Sequence, residues 1–219
     1  MNELIERYSR HRTQRKHALM ATIGIIGAGQ IGRAIATALA RKDIPAILAN
    51  SRGPDSLAGI AAELGRGITP GTREQAAAAD IVFVAVNWSK IPVALAGLPD
   101  FAGRIVIDAN NPIEAPLFKP VALGERSSSE VFARFVPGAR VVKAFNHLRP
   151  DLVAGDPAVG GGRRVLFYSG DDIGAKAEVG ALIDGLGFFG IDLGLLPIGS
   201  RLVQFPGGPL PAMNLVKFD

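Results

Sequence analysis

Cysteine is absent from this sequence of 219 residues, and histidine is scarce, with three copies. The absence of cysteine excludes disulfide bonds, thiolate nucleophiles and metal sites built on cysteine. Two of the histidines lie within the first 20 residues, which leaves His147 as the only one in the body of the chain. Because a transition-metal site needs several such ligands in one place, we expect no metal.

Long apolar runs are also missing, and most of the excess positive charge lies at one end. No run approaches the length of about 18 residues that a membrane helix needs, so we expect no membrane association. The net charge is +4, and residues 1–20 hold five basic residues against two acidic ones, a balance of +3. We expect residues 1–20 to be a disordered basic tail, not a nucleic-acid-binding arm. The tail lacks the apolar core of a signal peptide, and we expect a cytoplasmic protein.

Short apolar runs alternate with helical patterns as far as residue 109. The runs that predict strands are 22–26, 45–49, 67–69, 81–86 and 104–109. Helices are predicted by apolar spacing or capping patterns at 31–42, about 55–64, from Thr72 with Gln75, and near 90–98. This alternation predicts an α/β protein with a Rossmann-type doubly wound parallel sheet.

The second half is less regular and predicts a small C-terminal α/β extension. A capping pattern at Ser127 and Glu130 opens a helix to about 136, and another helix runs from Asp171 or Asp172 to about 186. Strands are predicted at 140–145, 164–170 and 189–194. Residues 156–164 are predicted to be a glycine-rich loop, and the segment after 194 to be irregular.

The turn after the first predicted strand carries a glycine pattern typical of dinucleotide-binding proteins. The pattern G-x-G-x-x-G is formed by Gly27, Ala28, Gly29, Gln30, Ile31 and Gly32. Gly27 permits the tight turn, Gly29 lets the backbone approach a pyrophosphate, and Gly32 lets the helix pack on the strand. The N–H groups at the start of the helix would face the diphosphate. We predict a nucleotide site at residues 27–32.

The end of the second predicted strand indicates which nucleotide binds. An NAD site usually has Asp or Glu there, about 20 residues after the glycines, on the ribose 2′-hydroxyl. This chain has Asn50, Ser51 and Arg52 instead, so no carboxylate repels a 2′-phosphate. The Arg52 guanidinium offers a fork of donors to phosphate oxygens, and Ser51 can add a hydrogen bond. We predict NADP(H) as the cofactor, with a merely solvated Arg52 as the alternative.

Further candidate residues follow three later strands, at the edge of the sheet where ligands bind in such folds. We predict that the cofactor site includes Val86, Asn87, Trp88, Asn110 and Asn146. The alternatives are that the asparagines only cap turns and that Trp88 belongs to the core. His147 is the one candidate proton donor, with a structural histidine as the alternative, and we assign no catalytic residue.

Together these motifs resemble the F420-dependent NADP oxidoreductase family, which transfers hydride between NADP(H) and the deazaflavin coenzyme F420. The resemblance runs from about residue 22 to the C-terminus and includes IGIIGAGQIG, NSRG, VNW, ERSSSEVFARFVPGARVVKAFN, SGDD and SRLV. It implies an NADP-binding Rossmann domain over residues 21–145, a C-terminal part over 146–219 that closes the cofactor cavity, and a homodimer.

The resemblance also implies roles for the candidate residues. Residues 28–31 would contact the pyrophosphate, Ser51 and Arg52 the 2′-phosphate, and Asn87 and Trp88 the nicotinamide side. Hydride transfer between two bound rings needs proximity and orientation more than acid–base residues. This requirement is consistent with a predicted crevice that has no obvious catalytic dyad.

We predict an NADP(H)-dependent oxidoreductase that exchanges hydride with a second, small-molecule redox carrier, with F420 as the first candidate. Alternatives are a reductase of a small carbonyl or imine, similar in its nucleotide half to pyrroline-5-carboxylate reductase, and a flavin or metal acceptor. A non-catalytic NADP-binding sensor is a further alternative. The imine alternative requires a proton donor, and so it depends on His147.

Overall fold

The computed structural model describes residues 21–65, 67–114 and 118–218, and the predicted tail at 1–20 lies outside them. The strands are β1 (Ile23–Ile26), β2 (Ala46–Ala49), β3 (Ile68–Gly71), β4 (Ile81–Val84), β5 (Ile105–Asp108), β6 (Ile113–Glu114), β7 (Lys119–Pro120), β8 (Arg140–Ala144), β9 (Ala158–Val159), β10 (Gly162–Gly170), β11 (Phe189–Asp192) and β12 (Val216–Lys217). The α-helices are α1 (Gln30–Ala40), α2 (Ala58–Leu64), α3 (Arg73–Ala77), α4 (Ile91–Leu95), α5 (Ser128–Phe132), α6 (Pro150–Ala154), α7 (Ile173–Gly185) and α8 (Leu196–Val203).

The main sheet has the strand order β11-β10-β8-β5-β4-β1-β2-β3, with β9 and β12 paired to the start of β10. The six strands from β3 to β8 in this order are parallel. From β1 the chain builds first towards β3 and then, after crossing back, towards β8. The predicted Rossmann-type fold is therefore confirmed. The direction in which strands are added reverses between β1 and β4, and ligands bind at this switch point in such sheets.

The central strands are buried because helices cover both faces of the sheet. Every residue of β1, β4 and β5 is buried, as expected for parallel strands that read as continuous apolar runs. Along β4 the side chains alternate between faces: Ile81 and Phe83 belong to one apolar cluster, and Val82 and Val84 to the other. The core thus lies in two layers, one on each side of the sheet.

The starts of three helices are capped by the residues that the sequence predicts. Both predicted capping boxes form, with the Gln75 amide donating to the Thr72 hydroxyl at 3.2 Å and the Glu130 amide to that of Ser127 at 3.4 Å. Asp172 caps α7 through a 2.6 Å bond from the Ala175 amide. Because these bonds join residues three apart, neighbouring sequence is enough to specify them.

The second half departs from the prediction in three ways. The predicted loop at 156–164 is wrong, because Ala158–Val159 and Gly162–Arg163 pair as a hairpin. The segment after 194 contains α8 and β12, although it was predicted to be irregular. Strand β10 runs antiparallel to β8 because the intervening chain, which includes the unpredicted α6, begins β10 at the end of the sheet where β8 finishes.

Candidate cofactor site

The glycine turn after β1 is held tightly between two neighbouring strands. Gly27 has a φ of 115°, a backbone conformation that suits glycine, and its amide donates to the Ala49 carbonyl at 2.9 Å. A Cβ at Gly32 would lie 1.8 Å from the Gly27 carbonyl oxygen. These two glycines therefore let α1 begin directly above the end of β1.

Gly29 differs from Gly27 and Gly32 because the part of the chain that the structure describes leaves open space where its side chain would be. Among the described residues, its two chain neighbours aside, no atom lies within 4 Å of a Cβ built there. Its φ is −76°, and the residue is exposed. It occupies the N-cap position of α1, so it brings no side chain to the first turn of the helix. The N–H groups at a helix start and the positive end of the helix dipole suit a diphosphate, and the open space at Gly29 would let one approach the backbone. These residues fit a dinucleotide.

The turn after β2 is organised by Asn50 and presents Ser51 and Arg52 to solvent. The Asn50 Oδ1 accepts a 2.8 Å hydrogen bond from the Arg52 amide, and its Nδ2 donates to the Ser56 hydroxyl at 2.9 Å. The Ser56 hydroxyl in turn donates to the Gly53 carbonyl at 2.8 Å. Asn50 thus fixes the backbone, and the Ser51 and Arg52 side chains are left exposed at the end of β2.

The segment after β4 places one exposed and one buried candidate. Asn87 is exposed and precedes a 3₁₀ turn at Trp88–Lys90. Trp88 is 9% exposed and belongs to the same apolar cluster as Leu196 of α8. Val86 lies against the glycine turn, because a Cβ at Gly27 would come within 3.0 Å of its Cγ1. This segment therefore borders the glycine turn at the switch point.

Asn110 is buried, and its side chain is used internally. Its Oδ1 accepts from the Val86 amide at 2.8 Å, and its Nδ2 donates to Asp108 Oδ1 at 2.8 Å. Asp108 is paired with Lys143, whose Nζ lies 3.1 Å from Asp108 Oδ2, and both side chains are fully buried. Burial lowers the pKa of Lys143 from its ordinary value, and the Asp108 carboxylate opposes this shift.

Asn146 forms a reciprocal pair with Asn111 across the ends of β5 and β8. Its Nδ2 donates to Asn111 Oδ1 at 2.9 Å and to the Val203 carbonyl at 2.7 Å, and Asn111 Nδ2 donates to the Asn146 carbonyl at 2.8 Å. The preceding Phe145 has a φ of 64°, which is rare for a bulky side chain. The pair therefore connects two strand ends to the C-terminus of α8.

His147 is buried, and its ring packs against Phe167 with centroids 5.0 Å apart. Burial lowers the pKa of His147 to about 4, with the main chain of Val165 opposing the shift. Even so, neither ring nitrogen forms a hydrogen bond of acceptable geometry with any described residue. A neutral, enclosed imidazole is poorly suited to donating a proton at neutral pH.

The burial of His147 predicts a pH dependence of stability. In the unfolded chain its pKa is near 6.5, so the unfolded state binds a proton that the folded state excludes until about pH 4. The free energy of unfolding should fall as pH drops below 6.5, by about 2–3 kcal/mol near pH 4.5 from this group. In His147→Leu, urea unfolding at about pH 7.5 and pH 4.5 should show that much less loss than in the wild type. Equal losses would contradict the assignment.

The sequence motifs do not indicate that Lys143, Asp108 and Ser129 come together in one cluster. The Ser129 hydroxyl donates to Asp108 Oδ2 at 2.7 Å, beside the Lys143 ammonium. A signal was present, because a lysine inside an apolar strand is rarely buried without a partner. The partner lies 35 residues away and is found only through the register that places Asp108 opposite Lys143.

The described residues contain neither a candidate metal site nor a candidate membrane helix. Within residues 21–65, 67–114 and 118–218, no three His, Asp or Glu side chains are grouped so as to hold a metal ion. Over the same ranges, no helix is both long and apolar enough to span a membrane.

Comparison with known proteins identifies related reductases. Residues 22–112 match the model of the family described as NADP oxidoreductase, coenzyme F420-dependent. A solved structure of a hypothetical protein from Sinorhizobium meliloti is 45% identical and has a TM-score of 0.86, covering 90% of this chain and 96% of that one. A proposed F420-dependent NADP reductase from Arthrobacter is 30% identical with a TM-score of 0.64, covering 80% and 85%.

Two other matches extend the range of relatives. Metalloreductase STEAP3 from Rattus norvegicus is 30% identical over 194 residues, which are 88% of this chain and 38% of the metalloreductase. The chain therefore spans well under half the length of that relative. A reductive aminase from Aspergillus terreus in complex with NADPH is 21% identical with a TM-score of 0.59, covering 82% of this chain and 57% of that one, and it shares the fold alone.

Proposed function

Since the chain belongs to the coenzyme F420-dependent NADP oxidoreductase family and is an NADP-dependent oxidoreductase, we propose that it transfers hydride between NADP(H) and F420. The observation that carries the nucleotide half is the open space at Gly29 at the start of α1, together with the exposed Arg52 that follows the neighbouring strand β2. The F420 half is supported by the family match and by the Arthrobacter relative.

We assign the phosphates of NADP(H) to two turns. The N–H groups of residues 28–31 would bind the diphosphate, because they lie at the positive end of α1 and the Gly29 side is open. The Ser51 hydroxyl and Arg52 guanidinium would bind the 2′-phosphate, on a turn that Asn50 holds in shape. Arginine matches phosphate through two parallel hydrogen bonds, which gives preference for NADP(H) over NAD(H).

The nicotinamide end would lie beside Val86 and Asn87. Val86 borders the glycine turn, and Asn87 is exposed at the crevice, where its amide can bind the carboxamide of the ring. Trp88 is mostly buried and supports this segment from the core side. Asn110 and Asn146 contribute by holding strand ends, because their side chains bond to other residues of the protein.

Bound NADPH supplies the hydride, and the chain supplies position. Residues around the strand ends hold the two reactants close and oriented, which can replace most of the entropic cost of bringing them together. Within the described residues, the ring nitrogens of the buried His147 have no hydrogen-bond partner through which a proton could reach this crevice. This arrangement suits direct transfer between two ring systems.

A direct test mixes the NADPH-loaded protein with oxidised F420. We expect the absorbance bands of NADPH and of oxidised F420 to fall together, with one mole of NADPH consumed per mole of F420 over multiple turnovers. The reaction with NADH should be much slower. Protein carrying Gly29→Ala serves as the control that lacks a usable cofactor cradle. If NADPH binds tightly and F420 stays oxidised, the F420 assignment is wrong, although the NADP-dependent oxidoreductase assignment stands.

A second candidate acceptor is a flavin or a chelated metal ion, and the 30% identity to a metalloreductase favours it. Flavin mononucleotide, flavin adenine dinucleotide and ferric citrate are therefore tested beside F420 under the same conditions. Faster NADPH oxidation by ferric citrate in the presence of a flavin than with F420 would favour this candidate.

Reduction of a carbonyl or imine is less well supported. That chemistry needs a proton donor, and the enclosed, neutral His147 is the histidine that the described residues provide. We expect His147→Ala to retain turnover with the natural acceptor. Loss of turnover in a folded His147→Ala protein would restore the imine candidate.

We further propose a cytoplasmic homodimer. The family resemblance supports the dimer, and exposed apolar side chains of the C-terminal segment offer a surface for it, namely Leu195, Ile198, Phe205, Met213, Leu215 and Phe218. A cytoplasmic location would give access to the NADP(H) pool. Light scattering coupled to gel filtration measures the mass directly, and a monomer at micromolar concentration would contradict the dimer.

A further inference from the structure

The buried pair Lys143–Asp108 has no role in the function proposed so far. Both side chains are fully buried, and their strands place them directly opposite each other at the crevice end of β5 and β8. A buried ion pair contributes little net stability over apolar packing, because removing two charges from water is costly. A position so close to the switch point therefore calls for another explanation.

The pair restrains Asn110 at three of its four polar groups. Asp108 Oδ1 accepts from the Asn110 amide at 3.0 Å and from its Nδ2 at 2.8 Å, and Lys143 Nζ donates to the Asn110 carbonyl. Because an ionised carboxylate only accepts hydrogen bonds, Nδ2 must face Asp108. The remaining group, Asn110 Oδ1, is thereby turned towards the Val86 amide, which it meets at 2.8 Å.

We propose that Lys143 and Asp108 are positioning residues that, through Asn110, fix the Val86–Trp88 segment in the geometry needed to seat the nicotinamide ring. This inference rests on the proposed placement of the nicotinamide at that segment. The hydrogen bond from the Val86 amide to Asn110 connects the buried pair to the Val86–Trp88 segment, and Val86 packs against the turn at Gly27. A shift at Asn110 would therefore move the nicotinamide side and leave the turn of Ser51 and Arg52 in place.

The arrangement predicts a separation between the two halves of the cofactor. The fragment 2′,5′-ADP carries the adenosine and 2′-phosphate and lacks the nicotinamide. Trp88 is the only tryptophan of the chain, and its emission overlaps the absorption of reduced nicotinamide, so energy transfer from Trp88 to NADPH reports the seating of the ring. Neither measurement requires a known hydride acceptor.

The experiment compares the wild type with Lys143→Met. We expect affinity for 2′,5′-ADP to change by less than about threefold, and affinity for NADPH to fall about tenfold, with reduced energy transfer from Trp88. The double variant Asp108→Asn with Lys143→Met removes both charges and keeps an acceptor for Asn110, so it should recover much of the loss. If Lys143→Met does not fold, Asn110→Ser is measured in the same way and decides the question.

The matched control is Thr22→Ala, at the opposite end of the sheet. The Thr22 hydroxyl donates to Asp80 Oδ2 at 2.7 Å, so this change also removes a polar link between strand ends. We expect it to lower stability and leave the ratio of NADPH to 2′,5′-ADP affinity unchanged. A folded Lys143→Met protein with the wild-type ratio, or with both ligands weakened equally, would overturn the positioning role.

The wild type separates failure of this inference from failure of the proposed function. Wild-type protein should bind NADPH more tightly than 2′,5′-ADP and show energy transfer from Trp88. If it does neither, the nicotinamide does not lie at the Val86–Trp88 segment, which overturns the placement itself and this inference with it. If it does both and the variants match it, only the role of Lys143 and Asp108 is wrong.

Discussion

Replacing Gly29 with alanine should leave the protein folded and remove most of its affinity for dinucleotides. Apart from its chain neighbours, the added Cβ meets no atom of the described residues within 4 Å, and the φ of −76° is ordinary for alanine, so the described fold has no reason to change. The methyl group would instead occupy the space where the backbone approaches the diphosphate. We expect NADPH affinity, measured by calorimetry, to fall on the order of a hundredfold, which is about 2.7 kcal/mol. Wild-type affinity in this variant would show that the diphosphate lies elsewhere.

Gly32→Ala is the matched control within the same motif. Its Cβ would lie 1.8 Å from the Gly27 carbonyl oxygen, so α1 must move away from β1. This variant should lose stability in urea unfolding before any question of binding arises, by about 1–3 kcal/mol or more, as expected for overpacking. Within one motif, Gly29→Ala is thus expected to lower cofactor affinity, and Gly32→Ala is expected to lower the stability of the fold.

Replacing Arg52 with alanine should abolish the preference for NADPH over NADH. The guanidinium is exposed at the end of β2, on a turn whose shape depends on Asn50 and not on the arginine side chain. Its removal therefore deletes the proposed donors to the 2′-phosphate without disturbing the turn. A charge-assisted hydrogen bond contributes about 1.5–3 kcal/mol, so NADPH affinity should fall by about ten- to a hundredfold. Affinity for NADH, which has no 2′-phosphate, should stay within about twofold.

The control for Arg52→Ala is Arg104→Ala. Arg104 immediately precedes β5, at the opposite end of the sheet, and its guanidinium donates to the Asp100 carbonyl at 2.6 Å. The Arg104→Ala substitution changes the net charge by the same amount as Arg52→Ala and lies away from the predicted site. It should leave the preference for NADPH unchanged. An Arg52→Ala protein that still prefers NADPH would mean that Asn50, Ser51 and the turn amides recognise the phosphate without the arginine.

Several elements could be predicted because their information is local. The strand at 81–84 lies within an unbroken apolar run, and the capping boxes at Thr72 and Ser127 join residues only three apart. The direction of β10 could not be predicted in this way. Nothing in its sequence distinguishes a parallel from an antiparallel partner, and its direction follows from where the preceding chain leaves it.

The candidate residues divide in the same manner. The sequence alone singles out Asn50, Asn110, Asn146 and His147 by position, but it does not say which way their side chains bond. In the structure Asn110 and Asn146 are buried and bonded to other parts of the chain, and His147 is enclosed beside Phe167. Their roles as direct cofactor ligands stay predictions, and the contacts favour support of the strand ends.

Local sequence is enough to predict the glycine turn after β1, the lack of a carboxylate after β2 and the alternation of strands and helices, because each of these depends on residues close together along the chain. The open space at Gly29, the enclosure of Gly32 and the pairing of Lys143 with Asp108 are visible only in the folded chain. The reason is physical: the space around a residue and the partner of a buried charge depend on strands and helices brought together from distant parts of the chain. The register of β5 against β8 joins residues 35 positions apart, and local sequence does not encode that register.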